Sequence, residues 1–552
     1  MSEQVTTPTT TPHLDQPDPT PSSKLKLTKT TEIQIIINNL KQKFAESQTT
    51  STAKQRSLEI KTQLQKLRSN LIENKDELET SLGKDFHRPK LETCVCELGP
   101  VLSEIDYFLN NADSILNGGT EKPDKLAFSF STLTARVERI ALGVILIVAP
   151  FNYPLLLSLG PVIGAIGCGN RVVLKLPTDQ IPAFCETLTI NVLQESFDQS
   201  WFTVMNGGLE VAQNLTSVET VKLFDKVVFT GSTRVGGIVA SNAGVSCTPV
   251  LLELGGKSPV FVTSNCKDFQ KAANRILWGK FTNAGQTCVA ADYLVVEDDV
   301  YDEFLKVLKA TFDDLFNSVS SDTDFAHLVN GSAFIRISKY LETTKGTIIS
   351  PKESHKPQKE TNFFPPTLIT DVDFTDSLMK EELFGPVLPI IKYKSLSNVI
   401  DSIKTHHDTP LALYIFSADR TEQDLIKASI QSGAVGINEL MMHAGCMDLP
   451  FGGIGNSGYG DYHGKYSIDA FTHKRAIIKQ PYWAETIIGE RYLPYNATKA
   501  AHLWTFIKFP DVPLNIGWVF KYLAVFSAGA VLGWVLNTLF IVWMVDHDTM
   551  EL

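Results

Sequence analysis

Cysteine is scarce in this sequence, with 8 cysteines in 552 residues. A fold held together by disulfides needs many cysteines at short spacings, and most of these lie far apart. Cys94 and Cys96 form one close pair, but no second pair follows at the spacing of metal ligands, and we interpret this pair as structural. The sequence therefore predicts no disulfide framework and no metal site, and it favours a reducing compartment for most of the chain.

Positive charge is also in short supply. The chain has 50 Lys and Arg residues against 61 Asp and Glu residues, which gives a formal net charge of −11. Proteins that bind nucleic acids neutralise phosphates with a basic surface, so the composition predicts no nucleic-acid partner. The length suits two or three lobes, because a single hydrophobic core rarely serves so long a chain.

The first 22 residues lack the marks of a targeting peptide. They are rich in Thr and Pro, contain no apolar core and no Arg, and carry Glu3, Asp15 and Asp18. A secretory signal needs an apolar core, and a mitochondrial presequence is rich in Arg and poor in acids. We therefore expect residues 1–30 to form a disordered tail.

Charge is absent from one long stretch near the C-terminus. Residues 522–545 (YLAVFSAGAVLGWVLNTLFIVWMV) contain no charged side chain. A helix of this length spans about 36 Å, and a hydrocarbon core is about 30 Å thick. Lys521 precedes the stretch and acids follow it, which favours a cytosolic location for the preceding lobes. We predict a transmembrane anchor in the endoplasmic reticulum, the outer mitochondrial membrane or a lipid-droplet surface; the alternative is a buried core helix.

Hydrophobic periodicity between these two ends predicts an α/β fold. Leucines recur at helical spacing over residues 33–82. Short apolar runs then end in Pro, Gly or Ser and alternate with helical stretches, at 144–150, 171–177 and 226–232. Strands that alternate with helices imply a parallel sheet covered on both faces. A second β-rich region opens at 249–262.

Four short segments carry residues suited to carbonyl chemistry. NAGQTC (283–288) ends in a cysteine, and a thiolate attacks carbonyl carbon readily. ELGGKSP (253–259) begins with a glutamate at an apolar strand end, where burial raises the pKa of a carboxyl group as a general base requires. FNYP (151–154) offers the amide of Asn152 to an oxyanion. FTGSTRVGG (229–237) joins a strand end, a glycine turn and a helix start that suit a phosphate. Taken singly, each segment also fits a structural role: an inert thiol, a paired carboxylate, an Asx turn or a tight turn without a ligand.

Taken in order, the four segments resemble the aldehyde dehydrogenase superfamily. KEELFGPVLP (380–389), PFGGIGNSGYGDYHG (450–464) and FTHKR (471–475) extend the resemblance over roughly residues 33–480. FTHKR, the YHG segment and the C-terminal apolar run look most like the membrane-anchored fatty aldehyde dehydrogenase branch. The resemblance implies an α/β fold with a Rossmann-type cofactor domain, an α/β catalytic domain, a small β dimerisation extension and a C-terminal transmembrane helix.

The resemblance also implies domain boundaries and a homodimer. Strands near 126–145 and 465–480 would reach to the partner subunit. The expected domains are a disordered tail (1–30), N-terminal helices with the NAD(P)-binding domain (31–252), the catalytic domain (253–440), a return to the cofactor domain with the dimerisation strand (441–485), a membrane-proximal linker (486–521) and the transmembrane helix (522–545).

The resemblance assigns four catalytic residues. Cys288 would attack the aldehyde carbon, while the Asn152 side chain and the Cys288 backbone N–H hold the oxyanion. The thiohemiacetal would pass hydride to a nicotinamide ring, and water activated by Glu253 would release the acid from the thioester. Glu382 would contact the nicotinamide ribose and, in the fatty aldehyde branch, share the base role with Glu253.

Further residues would hold the dinucleotide. Phe384 would pack near the nicotinamide ribose and Lys175 would contact the adenosine ribose. Ser232 would contact the pyrophosphate, in a turn that includes Gly231 and Gly236.

The choice between NAD and NADP depends on one departure from the family pattern. Many relatives carry an acid three residues after this lysine, where it binds the ribose 2′-hydroxyl and repels a 2′-phosphate. Here that position is Thr178, and Asp179 comes one residue later. Thr178 would repel nothing, so the choice between NAD and NADP stays open, and we predict NAD as the preferred dinucleotide.

The predicted anchor favours a long, apolar aldehyde as substrate, because such chains partition into lipid by about 0.8 kcal/mol for each CH₂ group. Residues 500–514 would either cover the substrate tunnel or serve as a plain interfacial linker. Two alternatives stay open at this point. One is the same chemistry on aromatic aldehydes or semialdehydes, and the other is an inactive tail-anchored scaffold, against which the complete catalytic set argues.

Overall fold

The computed structural model describes residues 24–116, 132–351, 356–508 and 531–539, together with residues 126 and 130. Its helices in those ranges are α1 (Thr30–Thr50), α2 (Ala53–Glu73), α3 (Lys75–Phe86), α4 (Lys90–Thr93), α5 (Gly99–Leu116), α6 (Pro154–Gly167), α7 (Pro182–Thr187), α8 (Gln194–Ser196), α9 (Leu209–Leu215), α10 (Val218–Val221), α11 (Thr233–Gly244), α12 (Phe269–Phe281), α13 (Asp298–Phe316), α14 (Gly331–Thr343), α15 (Leu396–His406), α16 (Arg420–Ser429), α17 (Gly464–Phe471), α18 (Glu485–Ile488) and α19 (Ala497–Lys508). Its strands are β1 (Thr134–Ala141), β2 (Val144–Val148), β3 (Arg171–Lys175), β4 (Phe202–Met205), β5 (Lys226–Gly231), β6 (Val250–Leu254), β7 (Pro259–Val262), β8 (Tyr293–Glu297), β9 (Thr347–Ile349), β10 (Thr367–Thr370), β11 (Val387–Tyr393), β12 (Ala412–Phe416), β13 (Ala434–Ile437), β14 (Gly458–Tyr459) and β15 (Thr472–Lys479).

The first large sheet has six strands in the order β14-β6-β5-β2-β3-β4. Its strands are parallel except β14, which runs antiparallel to β6. The apolar runs predicted as strands at 144–150, 171–177 and 226–232 form β2, β3 and β5, and all five residues of β3 are buried. Strand order reverses between β2 and β5, and a ligand crevice is expected at such a switch point, at the carboxyl ends of the strands.

The second large sheet has seven strands in the order β13-β12-β7-β8-β11-β10-β9. All neighbours are parallel except β9, which pairs antiparallel with β10. The β-rich region predicted at 249–262 therefore serves two sheets, since β6 belongs to the first and β7 to the second. Only residues 255–258 separate the two strands, so the carboxyl end of β6 lies close to the start of β7.

The predicted N-terminal helical region consists of α1, α2 and α3. Thr52 begins α2 with a capping box, in which its hydroxyl accepts the Gln55 N–H at 3.2 Å and its own N–H donates to the Gln55 side chain at 2.8 Å. The recurring leucines predicted to share one face are buried, at positions Leu64, Leu67, Leu71, Leu78 and Leu82. The α/β architecture predicted from the periodicity is confirmed.

The described residues divide into two compact units, one containing 139–474 with the N-terminal helices and the other containing 475–508 with the residues just before 139. Both large sheets lie in the first unit. β1 and β15 form a separate two-stranded sheet. Within the second unit, Arg475 binds the Glu138 carboxylate at 3.0 Å.

A membrane-spanning helix was predicted over 522–545. Among the residues that the structure describes, no helix has both the length and the apolarity needed to cross a bilayer. Only 531–539 of the predicted span are described, as an exposed helix, and the rest lies outside the described residues. Most of the predicted N-terminal tail lies outside them as well.

Candidate active site

A cavity of about 830 Å³ opens where the carboxyl ends of β2, β5 and β6 face the loops that lead into β8, β11 and β12. It lies at the strand-order reversal of the six-stranded sheet, as expected for a ligand crevice. Seven of the predicted site residues line it: Asn152, Gly231, Ser232, Glu253, Cys288, Glu382 and Phe384. Lys175 and Gly236 are not among its lining residues.

The backbone before Cys288 follows an unusual path. Asn283 and Ala284 have φ values of 56° and 51°, and Gly285 has a φ of 71°. A Cβ on Gly285 would lie 2.3 Å from the Gly385 carbonyl oxygen, so only glycine permits this approach. The tight segment delivers Cys288 to the cavity with its side chain partly exposed.

The surroundings of Cys288 favour the thiol over the thiolate. Burial raises the pKa of Cys288 most, and the carboxyl groups of Glu382 and Glu253 raise it further. The backbone N–H groups of Cys288 and Val289 act in the opposite direction and lower the pKa. A thiolate at this position therefore needs added positive charge or neutral carboxyl groups nearby.

The loop that carries Asn152 is tied to the loop that carries Cys288. The Asn152 carbonyl oxygen accepts hydrogen bonds from the Arg88 guanidinium at 2.7 Å and from the Asn283 side chain at 2.8 Å. The Tyr153 hydroxyl lies 2.9 Å from the Thr287 hydroxyl, which links the neighbours of Asn152 and Cys288. These contacts fix the two loops relative to each other.

A fully buried ion pair supports this arrangement. Arg88 lies 2.8 Å from Glu97 and its guanidinium stacks 4.5 Å from the Tyr153 ring centroid. The second Glu97 oxygen accepts the N–H groups of Leu155 at 2.7 Å and Leu156 at 3.1 Å, at the start of α6. A carboxylate at a helix N-terminus satisfies unpaired donors and interacts favourably with the helix dipole.

We expect Arg88→Met to destabilise the protein by about 3 to 5 kcal/mol, because it leaves the Glu97 charge buried without its partner. Urea unfolding followed by fluorescence measures the effect. The Arg88→Met, Glu97→Leu double variant is the control, since it removes both charges and should be the more stable of the two. An unfolding curve for Arg88→Met that superimposes on that of the wild type would contradict the prediction.

Glu253 is the next-to-last residue of β6 and has only 2% of its surface exposed. Neither carboxyl oxygen has a hydrogen-bond partner among the described residues. Burial raises its pKa well above the ordinary value, and the Asp461 charge adds to the effect. A carboxyl group of raised pKa that faces a cavity without a partner is suited to take up and release a proton there.

Glu382 reaches the same cavity from the loop before β11. Its carboxyl group occupies the space where a side chain on residue 255 would be, since a Cβ on Gly255 would lie 2.1 Å from Glu382 Oε2. Burial raises the pKa of Glu382 to about 8, and the Asp292 charge adds to the rise. Phe384, two residues further, has a φ of 44° and packs edge-on against Phe151 with ring centroids 6.0 Å apart.

The start of α11 forms a polar cradle at the end of β5. Ser232 caps the helix by accepting the Val235 N–H at 3.4 Å, and the N-terminus of this 12-residue helix faces the cavity. Gly231 has no room for a side chain, because a Cβ would lie 2.7 Å from the Phe229 ring. Gly236 lies away from the cavity, where a Cβ would meet the Leu254 side chain at 2.5 Å. The cradle fits a phosphate group, and Gly236 lets the helix approach the sheet.

Comparison with known proteins decides the class. Residues 6–477 match the aldehyde dehydrogenase family. The chain belongs to this family. It is 35% identical over 441 residues to fatty aldehyde dehydrogenase HFD1 of Saccharomyces cerevisiae, with 79% of this chain and 82% of the yeast protein covered. It is 36% identical over 446 residues to beta-apo-4'-carotenal oxygenase of Neurospora crassa, with 80% and 81% covered.

A solved structure, the substrate-bound state of Staphylococcus aureus AldH, superimposes with a TM-score of 0.78 at 33% identity. The superposition covers 86% of this chain and 99% of that one. This aldehyde dehydrogenase therefore oxidises aldehydes with NAD or NADP, and its similarity is to the fatty aldehyde dehydrogenase branch. The predicted resemblance is confirmed.

Lys175 of the aldehyde dehydrogenase is buried at the end of β3. Its amine donates to the Leu176 carbonyl at 2.6 Å, and burial lowers its pKa while the Asp179 charge raises it. Thr178 also points inward, since its hydroxyl accepts the Gly207 N–H at 3.3 Å and is 3.3 Å from the Leu176 carbonyl. The exposed carboxylate near Lys175 is thus Asp179, which the family pattern alone did not assign.

Two groups of residues were missed by the sequence analysis. Tyr462 is fully buried, and its hydroxyl has no hydrogen-bond partner among the described residues. Burial raises its pKa well above the ordinary value, and the charges of Glu253 and Cys288 add to the rise. It belongs to the YHG segment, which carried the family signal but no assigned role. The Arg88–Glu97 pair lies in a region without any motif, and no local signal in the sequence identifies it.

Proposed function

We propose that this aldehyde dehydrogenase oxidises long, apolar aldehydes to carboxylic acids through a covalent intermediate on Cys288. The observation that supports the proposal most directly is that Cys288, Asn152, Glu253 and Glu382 line one cavity. A nucleophile, an amide donor and two carboxyl groups of raised pKa are the groups that this chemistry requires.

The reaction balances with these residues. The Cys288 thiol gives its proton to an ionised carboxyl group of the cavity, which releases it to solvent, and the sulfur bonds to the aldehyde carbon. The former carbonyl oxygen becomes an oxyanion that the Asn152 side chain and the Cys288 N–H stabilise. Loss of hydride from that carbon gives a thioester. Glu253 then takes a proton from water, which attacks the thioester carbon and releases the acid, and the proton returns to the sulfur.

The dinucleotide accepts the hydride when it is bound. The N-terminus of α11 with Ser232 and Gly231 would hold the pyrophosphate, and Glu382 with Phe384 would contact the nicotinamide ribose. We propose that Lys175 contacts the adenosine ribose. Gly236 would act indirectly, because its lack of a side chain lets α11 pack closely against β6 next to the Gly231–Ser232 turn.

We expect NAD to be the preferred dinucleotide, with Asp179 as the group that disfavours a 2′-phosphate. Asp179→Asn should raise kcat/KM for NADP by at least about tenfold and change that for NAD little, because it removes a like charge from the approach to Lys175. Steady-state kinetics with each dinucleotide measures the ratio. The surface variant Asp76→Asn is the control, and an unchanged NADP value in Asp179→Asn would contradict the assignment.

The proposed substrate class has support from two named relatives. One is a fatty aldehyde dehydrogenase and the other acts on a carotenal, so both names denote long apolar aldehydes. Turnover of the full-length protein with straight-chain aldehydes of increasing length tests the proposal against aromatic aldehydes and semialdehydes. We expect KM to fall as the chain lengthens, since each added CH₂ group contributes up to about 0.8 kcal/mol of binding. A higher kcat/KM for a semialdehyde than for every long aldehyde would reject it.

We further propose that the chain is a homodimer anchored to a membrane by residues 522–545, with the catalytic part in the cytosol. Deleting residues 515–552 while keeping 500–514 should abolish flotation with liposomes and leave the turnover of short aldehydes within about twofold of the wild type. The deletion keeps α19, which contains the described part of the 500–514 segment and exposes 64% of Ile507. Loss of turnover with short aldehydes would show instead that the deleted part is needed for the fold.

A further inference from the structure

The backbone of the loop that carries Glu382 is bound by the side chains of one lysine and one aspartate. The Lys257 amine donates to the carbonyl oxygens of Leu378 and Glu381, each at 2.9 Å. The Asp292 carboxylate accepts the Leu383 N–H at 3.0 Å. Backbone groups immediately before and after Glu382 are therefore both fixed by side chains from outside the loop.

Lys257 and Asp292 also bind each other in a buried ion pair, with 5% and 6% of their side-chain surfaces exposed. Lys257 lies two residues before β7 and Asp292 directly precedes β8, so the pair stands at the starts of two adjacent strands of the seven-stranded sheet. Groups fixed next to regular elements are positioned more precisely than groups carried by loops alone. The pair thus connects the Glu382 loop to the sheet.

Arg336 is a third side chain that binds the backbone of this loop. Its guanidinium, on α14, donates to the Leu383 carbonyl at 2.6 Å and to the Phe384 carbonyl at 3.4 Å. Inside the cavity, the Glu382 carboxyl group lies where a Cβ on residue 255 would be, so only a glycine there leaves it this place. The loop backbone on both sides of Glu382 is therefore held by three side chains from outside the loop.

We propose that the Lys257–Asp292 ion pair is the positioning device for Glu382, and that it sets where this carboxyl group meets the bound dinucleotide. Neither residue needs to touch the reacting atoms. The inference rests on the proposed contact of Glu382 with the dinucleotide. A displacement of about 1 Å in a positioned group lowers a rate by about 10²-fold, so the pair matters although it lies outside the reaction itself.

A second cation lies in the same buried cluster but makes no bond to the loop. The Lys280 amine is completely buried and has no hydrogen-bond partner among the described residues. Burial lowers its pKa to about 8, and it interacts electrostatically with Asp292, Lys257, Glu382 and Arg336. Lys280→Met therefore removes a charge from the cluster without removing a hydrogen bond of the loop, which separates an effect of charge from an effect of position.

The test is a double-mutant cycle on the full-length protein. We expect Asp292→Asn and Lys257→Met each to lower kcat by about 10²-fold and to raise the Kd for NAD, measured by calorimetry without aldehyde. Each should add little to Glu382→Gln, because a variant without the carboxylate has nothing left to position. Lys257→Arg, which keeps the charge and the donors, should restore most of kcat. Lys280→Met removes a positive charge that lowers the pKa of Glu382. It should therefore move any pH dependence that Glu382 contributes to kcat to higher pH, and it should leave the Kd for NAD near that of the wild type.

Two controls accompany the cycle. Asp113→Asn breaks the Lys61–Asp113 ion pair, which is partly exposed, has an N–O distance of 2.5 Å and involves no residue that lines the cavity. This variant should change neither kcat nor the Kd for NAD. Urea unfolding followed by fluorescence reports whether each variant keeps its fold. Effects of Asp292→Asn that add fully to those of Glu382→Gln, or a wild-type Kd and kcat in Asp292→Asn, would overturn the proposal. A wild-type protein that reduces no dinucleotide with any aldehyde would instead overturn the proposed function.

Discussion

Replacing Cys288 by alanine is expected to abolish aldehyde-dependent reduction of the dinucleotide, with kcat lower by about 10⁴-fold or more. The reason is that every later step takes place on an intermediate bonded to this sulfur. Other thiols of the chain do not replace it, because Cys288 is the cysteine among the residues lining the cavity. Absorbance of the reduced dinucleotide, followed with a long-chain aldehyde, measures the loss.

Cys266→Ala is the matched control for this experiment. Cys266 is also a partly exposed free thiol, and it packs near Asp268 outside the cavity. This variant should retain full activity. Dinucleotide binding by Cys288→Ala should persist, because the cradle at α11 is unchanged. Residual turnover above a few per cent in Cys288→Ala would refute the covalent route.

The second large effect is expected for Glu253→Gln. This variant should oxidise the bound aldehyde to the thioester but should hydrolyse the thioester slowly. A stopped-flow trace would then show a burst of about one reduced dinucleotide per site, followed by turnover slowed by about 10² to 10⁴-fold. The amide is nearly isosteric with the carboxyl group, so the cavity should keep its shape. Glu79→Gln is the control, as a buried carboxyl group outside the cavity.

The same experiment decides which carboxyl group serves as the base. If Glu382→Gln gives the stalled burst and Glu253→Gln does not, the base is Glu382. The pH dependence adds a second criterion with a fixed sign. Burial raises the pKa of both groups, Glu382 to about 8, and a base acts only when ionised. Release of acid should therefore accelerate as the pH rises through the pKa of the true base, and substitution of that residue should remove this limb.

The residues of the site were predictable because the motifs follow parallel strands. Asn152, Ser232 and Glu253 stand at the carboxyl ends of β2, β5 and β6, and such ends meet at one edge of a sheet. Local patterns of strand, glycine turn and helix therefore carry positional information. The predicted domain boundaries and the roles of the individual residues stay predictions.

The supports of the site were not predictable from local patterns. Arg88 reaches the Asn152 carbonyl across 64 residues of sequence, and Lys257 reaches Leu378 across 121. Pairing at such separations depends on the packing of the whole fold, and hydrophobic periodicity contains no signal for it. The sequence likewise could not show which of residues 178 and 179 faces solvent. In the structure the Thr178 hydroxyl is bonded inside the protein, and Asp179 is exposed.

The link from Arg88 to the Asn152 and Asn283 loops has a consequence for biosynthesis. Glu92, four residues further, accepts the Asn283 N–H at 2.8 Å, so a segment made early in translation binds segments made much later. The site can therefore form only after both sheets have been synthesised. A polypeptide initiated beyond residue 92, or one trimmed there by a protease, would keep every strand of both large sheets and still be inert.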